Sequence, residues 1–505
     1  MKKLKQYGWV AILLTFICQG GAALCQGAGV LTSAPVPGVE NTVRYDAVTG
    51  KYIACSNSGG ATVHFLETDM STFVDIEVLQ DAVVKDFEII GRYVFFCGQD
   101  VSLGSGFLGW FNIDTLFQMG ETGNLGGPVH VDRTLINLNL VSLDNIEVYL
   151  LNDTIYNVAG YGPGSGGVYL AFEAVGDPLS GMQYRTLLLD YDNFRYQITD
   201  MAVTDKFVVY VCADRGGAIS TEWGYGIMLY PFPKYDMFAM PYYPGYFFQT
   251  VVVSIYNDSL YTESNEPFNG SFPLMVHVGG DMVTVAAHRR DNNFLWYHSI
   301  ITPPMNYLQS HNMFISTSLV FRTYDLSPLI STMPIGMVSA YAVSLYNNPF
   351  LFTPSSGTPS MNDMTYDPLS KSYRVLHEHE TSAGVYEYAV TDFNMSTISA
   401  SSEYQTAFTA PGVWRPYSMC VDNGSQYTVG GYNATGLREY IFWQRQVGGE
   451  EGPCTTIVPN LVDGLPTMPE KELTNHNPPI GWLPLVYEVI YPENIEAEEC
   501  IIMCN

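Results

Sequence analysis

Basic residues are scarce in this chain. It has 22 Lys and Arg against 50 Asp and Glu among 505 residues, which gives a formal net charge of −28. A surface this negative repels the phosphate backbone of nucleic acids and anionic lipid headgroups. We therefore expect a protein or a glycan as the partner and no nucleic acid, and we expect the chain to be a monomer.

Long apolar segments are missing after the N-terminus. The chain starts with Lys2, Lys3 and Lys5, continues with an apolar stretch over residues 9–17 and then turns to small residues at 20–23. This order is typical of a secretory signal peptide, and the stretch is shorter than the roughly 20 apolar residues that a membrane span needs. We expect residues 1–25 to be a signal peptide and the mature chain, without an integral membrane segment, to be exported: periplasmic, cell-surface or extracellular. Lipidation of Cys25 stays open, although Leu24 departs from the small residue of bacterial lipoprotein signals.

Nucleotide-binding motifs are missing as well, since no Gly-x-Gly-x-x-Gly joins a strand to a helix and no Gly-Lys-Ser/Thr loop occurs. No stretch shows helical periodicity over three turns. By contrast, 36 Tyr, 26 Phe and 46 Gly are present, and only 14% of the residues are charged. This composition is typical of strands and turns, so the chain is expected to be all-β.

One two-strand phrase recurs along the chain. It consists of an alternating run, a turn of Asp, Asn or Gly, and a second run rich in Tyr, Phe and Val, as in residues 86–97 and 200–212. Alternation around such a turn predicts a β-hairpin. Weaker copies and looser relatives occupy residues 42–55, 146–156, 253–261, 343–352, 363–376 and 418–429.

A glycine-rich gap and a third run follow most phrases, at residues 106–113, 167–172, 226–230, 384–390 and 438–443. The copies mostly recur every 45 to 60 positions, which is the length of the four-stranded blades of a β-propeller. We expect a single β-propeller of seven blades over residues 30–447, with six or eight blades, or a long sandwich or two stacked β-domains, as alternatives. Residues 30–42 are expected to add an outer strand to the last blade, and the Pro-rich residues 448–505 to form a C-terminal extension.

The phrase resembles those of uncharacterised exported β-propeller-like proteins of Bacteroidetes. Their pattern, Asp-Phe-x-Ile…Val-x-Phe-Cys-Gly followed by Gly-x-Leu-Gly-x-Phe, is clearest here at residues 86–98 and 106–111. These motifs are structural, so the resemblance implies a compartment and a fold but no reaction.

The cysteines fall into two groups. Four of them lie within apolar strand-like runs and are expected to be small buried thiols: Cys55, Cys97, Cys212 and Cys420. The other group lies in the polar C-terminal region, where export permits a disulfide. We expect a bond between Cys500 and Cys504, with Cys454 bonded to either of them as the alternative.

Two sets of residues are candidate metal ligands. On a strand, His377 and His379 share one face and could both bind zinc with a further ligand from elsewhere, although an exposed polar strand is the simpler interpretation. Asp86, Asp200 and Asp363 recur at equivalent places in the phrase, so we expect them to stabilise each turn, with a calcium-binding ring as the alternative. We expect no cofactor, with calcium or zinc as the possible exceptions.

Aromatic residues form a candidate binding surface between two phrases. Exposed aromatic rings stack on sugars or anchor protein partners, and the expected ligand-binding residues are Tyr235, Tyr242, Tyr243 and Tyr246. Packing between blades is the alternative role for these rings.

No symmetry-breaking set of catalytic residues stands out in the sequence. We therefore expect an exported, non-enzymatic binding or scaffold protein of the cell envelope that holds a protein or a glycan through its loops. The alternative is a secreted glycan-active or metal-dependent hydrolase with its site at the propeller mouth. Turnover of a glycan that depends on a single carboxyl group would separate the two.

Overall fold

The computed structural model describes part of the chain, and all structural statements below refer to that part. It comprises residues 29–34, 42–57, 60–66, 73–116, 128–133, 139–165, 169–188, 190–191, 194–203, 207–214, 225–231, 249–252, 274–279, 282–291, 316–325, 336–344, 360–382, 385–394, 396–397, 399–406, 414–422, 427–433, 440–445, 454–457, 460–461, 471–474, 483–485, 488–490, 493–495 and 501–503.

Strands dominate these residues, and one helical turn lies at 113–116. The first strands in chain order are β1 (Gly29–Ala34), β2 (Thr42–Asp46), β3 (Lys51–Asn57), β4 (Gly60–Leu66), β5 (Phe73–Gln80), β6 (Ala82–Ile90), β7 (Tyr93–Asp100), β8 (Ser105–Asn112), β9 (Val129–Asp132), β10 (Asn145–Asn152), β11 (Ile155–Pro163), β12 (Tyr169–Asp177) and β13 (Gly181–Leu188). The middle strands are β14 (Asp190–Tyr191), β15 (Phe194–Val203), β16 (Phe207–Asp214), β17 (Tyr225–Pro231), β18 (Gln249–Val252), β19 (Leu274–Gly279), β20 (Met282–Asp291), β21 (Ser316–Asp325) and β22 (Gly336–Ser344). The last strands are β23 (Ser360–Asp367), β24 (Ser372–Ser382), β25 (Val385–Asn394), β26 (Ser399–Thr406), β27 (Trp414–Val421), β28 (Tyr427–Asn433), β29 (Tyr440–Arg445), β30 (Cys454–Ile457), β31 (Asn460–Leu461), β32 (Lys471–Thr474), β33 (Leu483–Pro484), β34 (Glu488–Ile490), β35 (Glu493–Ile495) and β36 (Ile501–Met503).

The all-β class expected from the sequence is confirmed, and every described strand pair is antiparallel. The recurring phrase forms hairpins at six of its copies: β2–β3, β6–β7, β10–β11, β15–β16, β23–β24 and β27–β28. The third runs form the next strands, such as β8 and β12. Residues 253–261 lie outside the described residues. The phrase at 343–352 does not start a hairpin in the described part, because its first two residues end β22.

Consecutive strands assemble into small sheets. Sheets one, two and three contain β2–β5, β6–β9 and β10–β13, and sheets five and six contain β19–β22 and β23–β26. Sheet four contains β14–β17, and β18, which contacts β17, pairs with β32 in a separate two-stranded sheet beside it. Sheet seven contains β27–β29 and β1, because β1 pairs with β29 along its whole length. The expected contribution of the N-terminal segment to the last sheet is confirmed.

One strand of each sheet contacts its counterparts in the neighbouring sheets. These ring strands are β2, β6, β10, β15, β19, β23 and β27, and the series of contacts returns from β27 to β2. Successive side chains of a strand point to opposite faces of its sheet, so neighbouring residues pack in different interfaces between sheets. Phe96 packs with Phe87 and Ile53 between sheets one and two, whereas Phe95 packs with Trp110 between sheets two and three.

The C-terminal segment adds one short outer strand to six of these sheets and pairs with β18 beside sheet four, and we call β30–β36 the belt. It visits sheets six, five, four, three, two and one in that order and ends on sheet seven, where β36 pairs with β1. The belt thus runs against the order of the sheets in the chain. It covers the outer edges, whose backbone groups would otherwise have no strand partner.

Removing the belt tests this role. We expect a chain that stops after residue 447 to expose the outer sheet edges, to unfold at least about 5 °C lower than the full chain and to aggregate. Differential scanning calorimetry with light scattering measures both effects. A chain that stops after residue 499 loses only β36 and is expected to shift less. An unchanged midpoint for the shorter chain would contradict a stabilising belt.

Candidate functional site

Arg44 on β2 gathers acidic side chains from two other ring strands. Its Nη2 donates to Asp86 Oδ1 at 3.0 Å, and its Nε donates to Glu88 Oε1 at 3.1 Å, both on β6. Its Nη1 lies 4.0 Å from Asp363 Oδ2 on β23. One guanidinium therefore joins sheets one, two and six, and we call these residues with Glu147 and Asp200 the Arg44 cluster.

The Arg44 cluster is half-buried. The side chains of Arg44, Glu88 and Asp363 are 21%, 23% and 22% exposed, whereas that of Asp86 is 8% exposed. Solvent therefore reaches three of its charged side chains. Charged groups in such surroundings interact more strongly than they do on an open surface.

Glu147 on β10 belongs to the same cluster. Burial raises the pKa of Glu147 well above its usual range, and the carboxyl groups of Glu88, Asp200 and Asp86 raise it further, against the opposing effect of Arg44. Glu147 is therefore a weaker acid than an exposed glutamate. Glu88 lies on the neighbouring ring strand, β6, and forms an ion pair with Arg44.

Asp86 holds Arg44 in place. Its Oδ1 accepts the backbone N–H of Phe87 at 2.9 Å, and its Oδ2 accepts the backbone N–H of Ile146 at 3.2 Å. Burial raises the pKa of Asp86 to about 7, and Glu88 adds to the rise while Arg44 opposes it. Burial likewise raises the pKa of Asp363, against the opposing effect of Arg44.

The repeated acidic residues link neighbouring sheets. Asp86 bonds to Ile146 of sheet three, and Asp363 Oδ2 accepts the backbone N–H of Met419 in sheet seven at 2.7 Å. Ser418 takes the equivalent place in sheet seven, where its Oγ accepts the backbone N–H of Val43 at 2.8 Å. A shift of strand register precedes each of these residues and Asp200. Asp86 and Asp363 therefore have a structural role, but the backbone groups that they bind lie on neighbouring sheets and not in the turns expected from the sequence. A calcium ring stays a prediction.

His377 and His379 lie on β24, the second strand of sheet six. They stand opposite Ala389 and Glu387 of β25, and their side chains are outside the described set. Within the described part of the chain, no group of three or more His, Cys, Asp or Glu side chains is placed to hold a metal ion. Zinc binding by the two histidines stays a prediction.

The remaining predicted site residues lie outside the described residues. They are Tyr235, Tyr242, Tyr243, Tyr246, Cys500 and Cys504. Cys454, the alternative disulfide partner, begins β30. Three of the four cysteines expected to be buried are confirmed as buried: Cys55, Cys97 and Cys420. The side chain of Cys212 is not described.

Sequence reasoning missed the Arg44 cluster. The sequence carries one signal for it, which is a break in the repeat. The third residue of the phrase is charged in two copies, as Arg44 and Glu88, whereas the copy at 200–212 has Ala202 at that position. The repeated residues build the sheets, so a departure from the repeat is the better pointer to chemistry. Arg44 and Asp363 are over 300 residues apart in the chain, so the sequence gives no sign that they come together.

The cluster can perform proton transfer. It places Glu147, a carboxyl group with a raised pKa, near Glu88, a carboxyl group that accepts a hydrogen bond from the Arg44 guanidinium. Two carboxyl groups whose surroundings differ in this way are suited to act as acid and base on one substrate.

Among the comparisons with known proteins, the one with solved structures finds matches. No protein-family model and no curated protein sequence matches the chain. Two solved structures that resemble it are the GH32 β-fructofuranosidase of Bombyx mori and a mutant of that enzyme in complex with sucrose. Both are 8% identical to this chain and cover 89% of it, with 96% and 97% of their own chains matched and TM-scores of 0.29 and 0.28. Scores this low carry no argument about fold or activity. No helix in the described residues has the length and apolar character to cross a membrane.

Replacing Glu147 by Gln tests the raised pKa. A carboxyl group whose pKa is higher in the folded chain stabilises the fold fully at pH values below the ordinary Glu pKa of about 4.3. This stabilisation is lost as the pH rises through the pKa that the group has in the folded chain. Since Gln does not titrate, we expect Glu147→Gln to match the natural chain near pH 4 and to exceed its free energy of unfolding at pH 8. Urea unfolding at both pH values measures this difference. Glu77→Gln on β5 is the control, and an equal pH-dependent gain in both variants would contradict the assignment.

Replacing Arg44 by Leu tests the ion pairs. The change leaves Asp86 and Glu88 without their cation, so we expect a loss of about 2–3 kcal/mol in the free energy of unfolding at pH 8. The loss is expected to be smaller at pH 5, where Asp86 is protonated, and smaller at both pH values for Arg44→Lys, which keeps the charge. Urea unfolding of both variants provides the measurement, and a loss independent of pH would speak against these pairs.

Proposed function

We propose that the seven sheets are the blades of one closed β-propeller with the ring strands at its centre. The series of contacts between ring strands supports this proposal, as does the pairing of β1 with β29. The order in which the belt visits the sheets supports it as well, since its first and last strands lie on sheets six and seven. The proposal includes removal of the signal peptide, export and a monomeric chain.

For this propeller we infer a glycan-active hydrolase whose catalytic site is the Arg44 cluster. The observation that carries the inference is the contrast between Glu147 and Glu88 on neighbouring ring strands: the pKa of the first is raised well above its usual range, and the second is paired with Arg44. Glycoside hydrolysis uses such a pair of carboxyl groups. The partial exposure of Glu88 and Arg44 gives a substrate access to the pair.

Each residue of the cluster has a role in this reaction. Glu147 donates its proton to the glycosidic oxygen as the bond from that oxygen to the sugar carbon breaks. Glu88 stabilises the positive charge that develops on the sugar, and water supplies the new hydroxyl group and returns a proton to Glu147. Arg44 and Asp86 are positioning residues, because they fix the carboxylate of Glu88 without needing to touch the substrate.

A binding or scaffold protein without turnover is the second candidate. The hydrogen bonds that Asp86 and Asp363 accept from backbone N–H groups of neighbouring sheets favour it, because they give part of the cluster a purely structural task. The tyrosines at 235–246 then remain the expected binding surface. A metal-dependent hydrolase with His377 and His379 as zinc ligands is a further prediction, which analysis of metal content in His377→Ala and His379→Ala variants tests.

Turnover of a glycan panel separates the two candidates. We expect the purified chain to cleave at least one neutral oligosaccharide, and Glu147→Gln to lower kcat/KM at least about 100-fold because general acid catalysis contributes that much. Product analysis by chromatography follows the cleavage, and calorimetry follows binding. Glu147→Gln is expected to keep its substrate affinity, and Glu77→Gln to keep both affinity and activity.

Two outcomes would reject the hydrolase. Binding of an oligosaccharide without any cleavage across the panel would favour the second candidate. Cleavage that survives Glu147→Gln and Glu88→Gln would place the activity outside the Arg44 cluster.

A further inference from the structure

We propose that sheets three and four enclose a bound water molecule that Asn157 and Glu173 hold by hydrogen bonds. The proposal goes beyond the proposed function, because neither residue belongs to the Arg44 cluster. It follows from the strand register, the burial and the unpartnered polar atoms of these two side chains.

Asn157 and Glu173 share the face of sheet three that packs against sheet four. Ala159 and Ala171 of this face belong to one core cluster with residues of β15 and β16. Asn157 stands two positions before Ala159 on β11, and Glu173 stands two positions after Ala171 on β12, so all four side chains lie on the same face. The residues between them pack on the opposite face, toward sheet two. Both polar side chains therefore belong to the interface between sheets three and four.

The register also brings the two polar side chains close together. Asn157 pairs with Val175 and Glu173 pairs with Ala159, so Asn157 and Glu173 are diagonal neighbours on adjacent strands. Diagonal neighbours of an antiparallel pair are about 7–8 Å apart. A water molecule that makes a hydrogen bond of about 2.9 Å to each side chain fits within that distance.

Both side chains are buried, and both carry polar atoms that lack a hydrogen-bond partner among the described residues. Asn157 is 0% exposed and Glu173 is 1% exposed. The unpartnered atoms are Oδ1 and Nδ2 of Asn157 and Oε1 of Glu173. Buried polar atoms of folded proteins nearly always bond to the protein or to ordered water, because an unbonded one is costly. The interface therefore requires a ligand that is small enough to be enclosed.

The chemistry of these atoms selects water among small ligands. The amide of Asn157 offers a donor and an acceptor, whereas a metal cation would bind only acceptors and an anion would bind only donors. The carboxyl group of Glu173 already has its cation, because Arg185 Nε donates to its other oxygen, Oε2, at 2.6 Å. A neutral ligand that both donates and accepts fits all three atoms, and enclosed waters typically have roughly two to four such partners.

Water also fits both protonation states of Glu173. Burial raises the pKa of Glu173, and the charge and hydrogen bond of Arg185 oppose that rise. A water molecule donates to Oε1 when the group is ionised and accepts from it when the group is protonated. The site thus keeps its ligand across the pH range in which Glu173 titrates.

A crystal structure of the full chain, at a resolution that shows ordered waters, tests the proposal directly. We expect density for water within hydrogen-bond distance of the Asn157 amide and of Glu173 Oε1. In solution, magnetic relaxation dispersion of the water signal counts long-lived enclosed waters. Asn157→Leu is expected to lose about one of them, because Leu has a similar size and leaves the water with too few polar partners.

Asn57→Leu on β3 is the matched control. Asn57 is also a buried asparagine, but its Nδ2 donates to Val84 O at 2.8 Å and its Oδ1 accepts the backbone N–H of Val84 at 2.7 Å. We expect this variant to keep the number of enclosed waters. Should either variant fail to fold, the crystal structure of the natural chain decides alone. A direct hydrogen bond from Asn157 to Glu173 or to another residue, or equal water counts for the natural chain and Asn157→Leu, would overturn the proposal.

Discussion

The hydrogen bond from the backbone of one ring strand to a side chain of its neighbour is the constraint on which the other features depend. A ring strand such as β2 pairs along one edge only, with β3, so its buried N–H groups on the other edge need a different acceptor. Asp86, Asp363 and Ser418 supply that acceptor for the next sheet. A local shift of register before each of them turns a short polar side chain toward the next strand.

The same hydrogen bonds position the residues of the Arg44 cluster. Two backbone N–H groups fix the carboxyl group of Asp86, and Asp86 in turn fixes Arg44. Arg44 then pairs with Glu88, and the charge of Glu88 is one of the groups that raise the pKa of Glu147. A structural contact that recurs between neighbouring sheets is thus accompanied by a charged cluster where Arg44, Glu88 and Glu147 break the repeat.

Local sequence predicted the parts of the fold that local forces determine. Alternation and turn residues define hairpins such as β6–β7, and the apolar run before the first phrase defines β1. The strands of the belt, two to four residues long, were expected only as an extension because such short segments carry no periodic pattern. The Arg44 cluster was not predictable by the same means, because its charged groups meet only after distant strands come together.

Direct observation of the proton on Glu147 tests the central claim, that the folded chain holds this carboxyl group in its acid form beside Glu88. Difference infrared spectroscopy of the natural chain and Glu147→Gln at pH 7 reports the carboxyl groups that are protonated. The account predicts a protonated-carboxyl band in the natural chain that is absent from the variant. If the variant instead lacks a carboxylate band that the natural chain shows, Glu147 is ionised in the natural chain. That result would contradict both the raised pKa of Glu147 and its role as the acid.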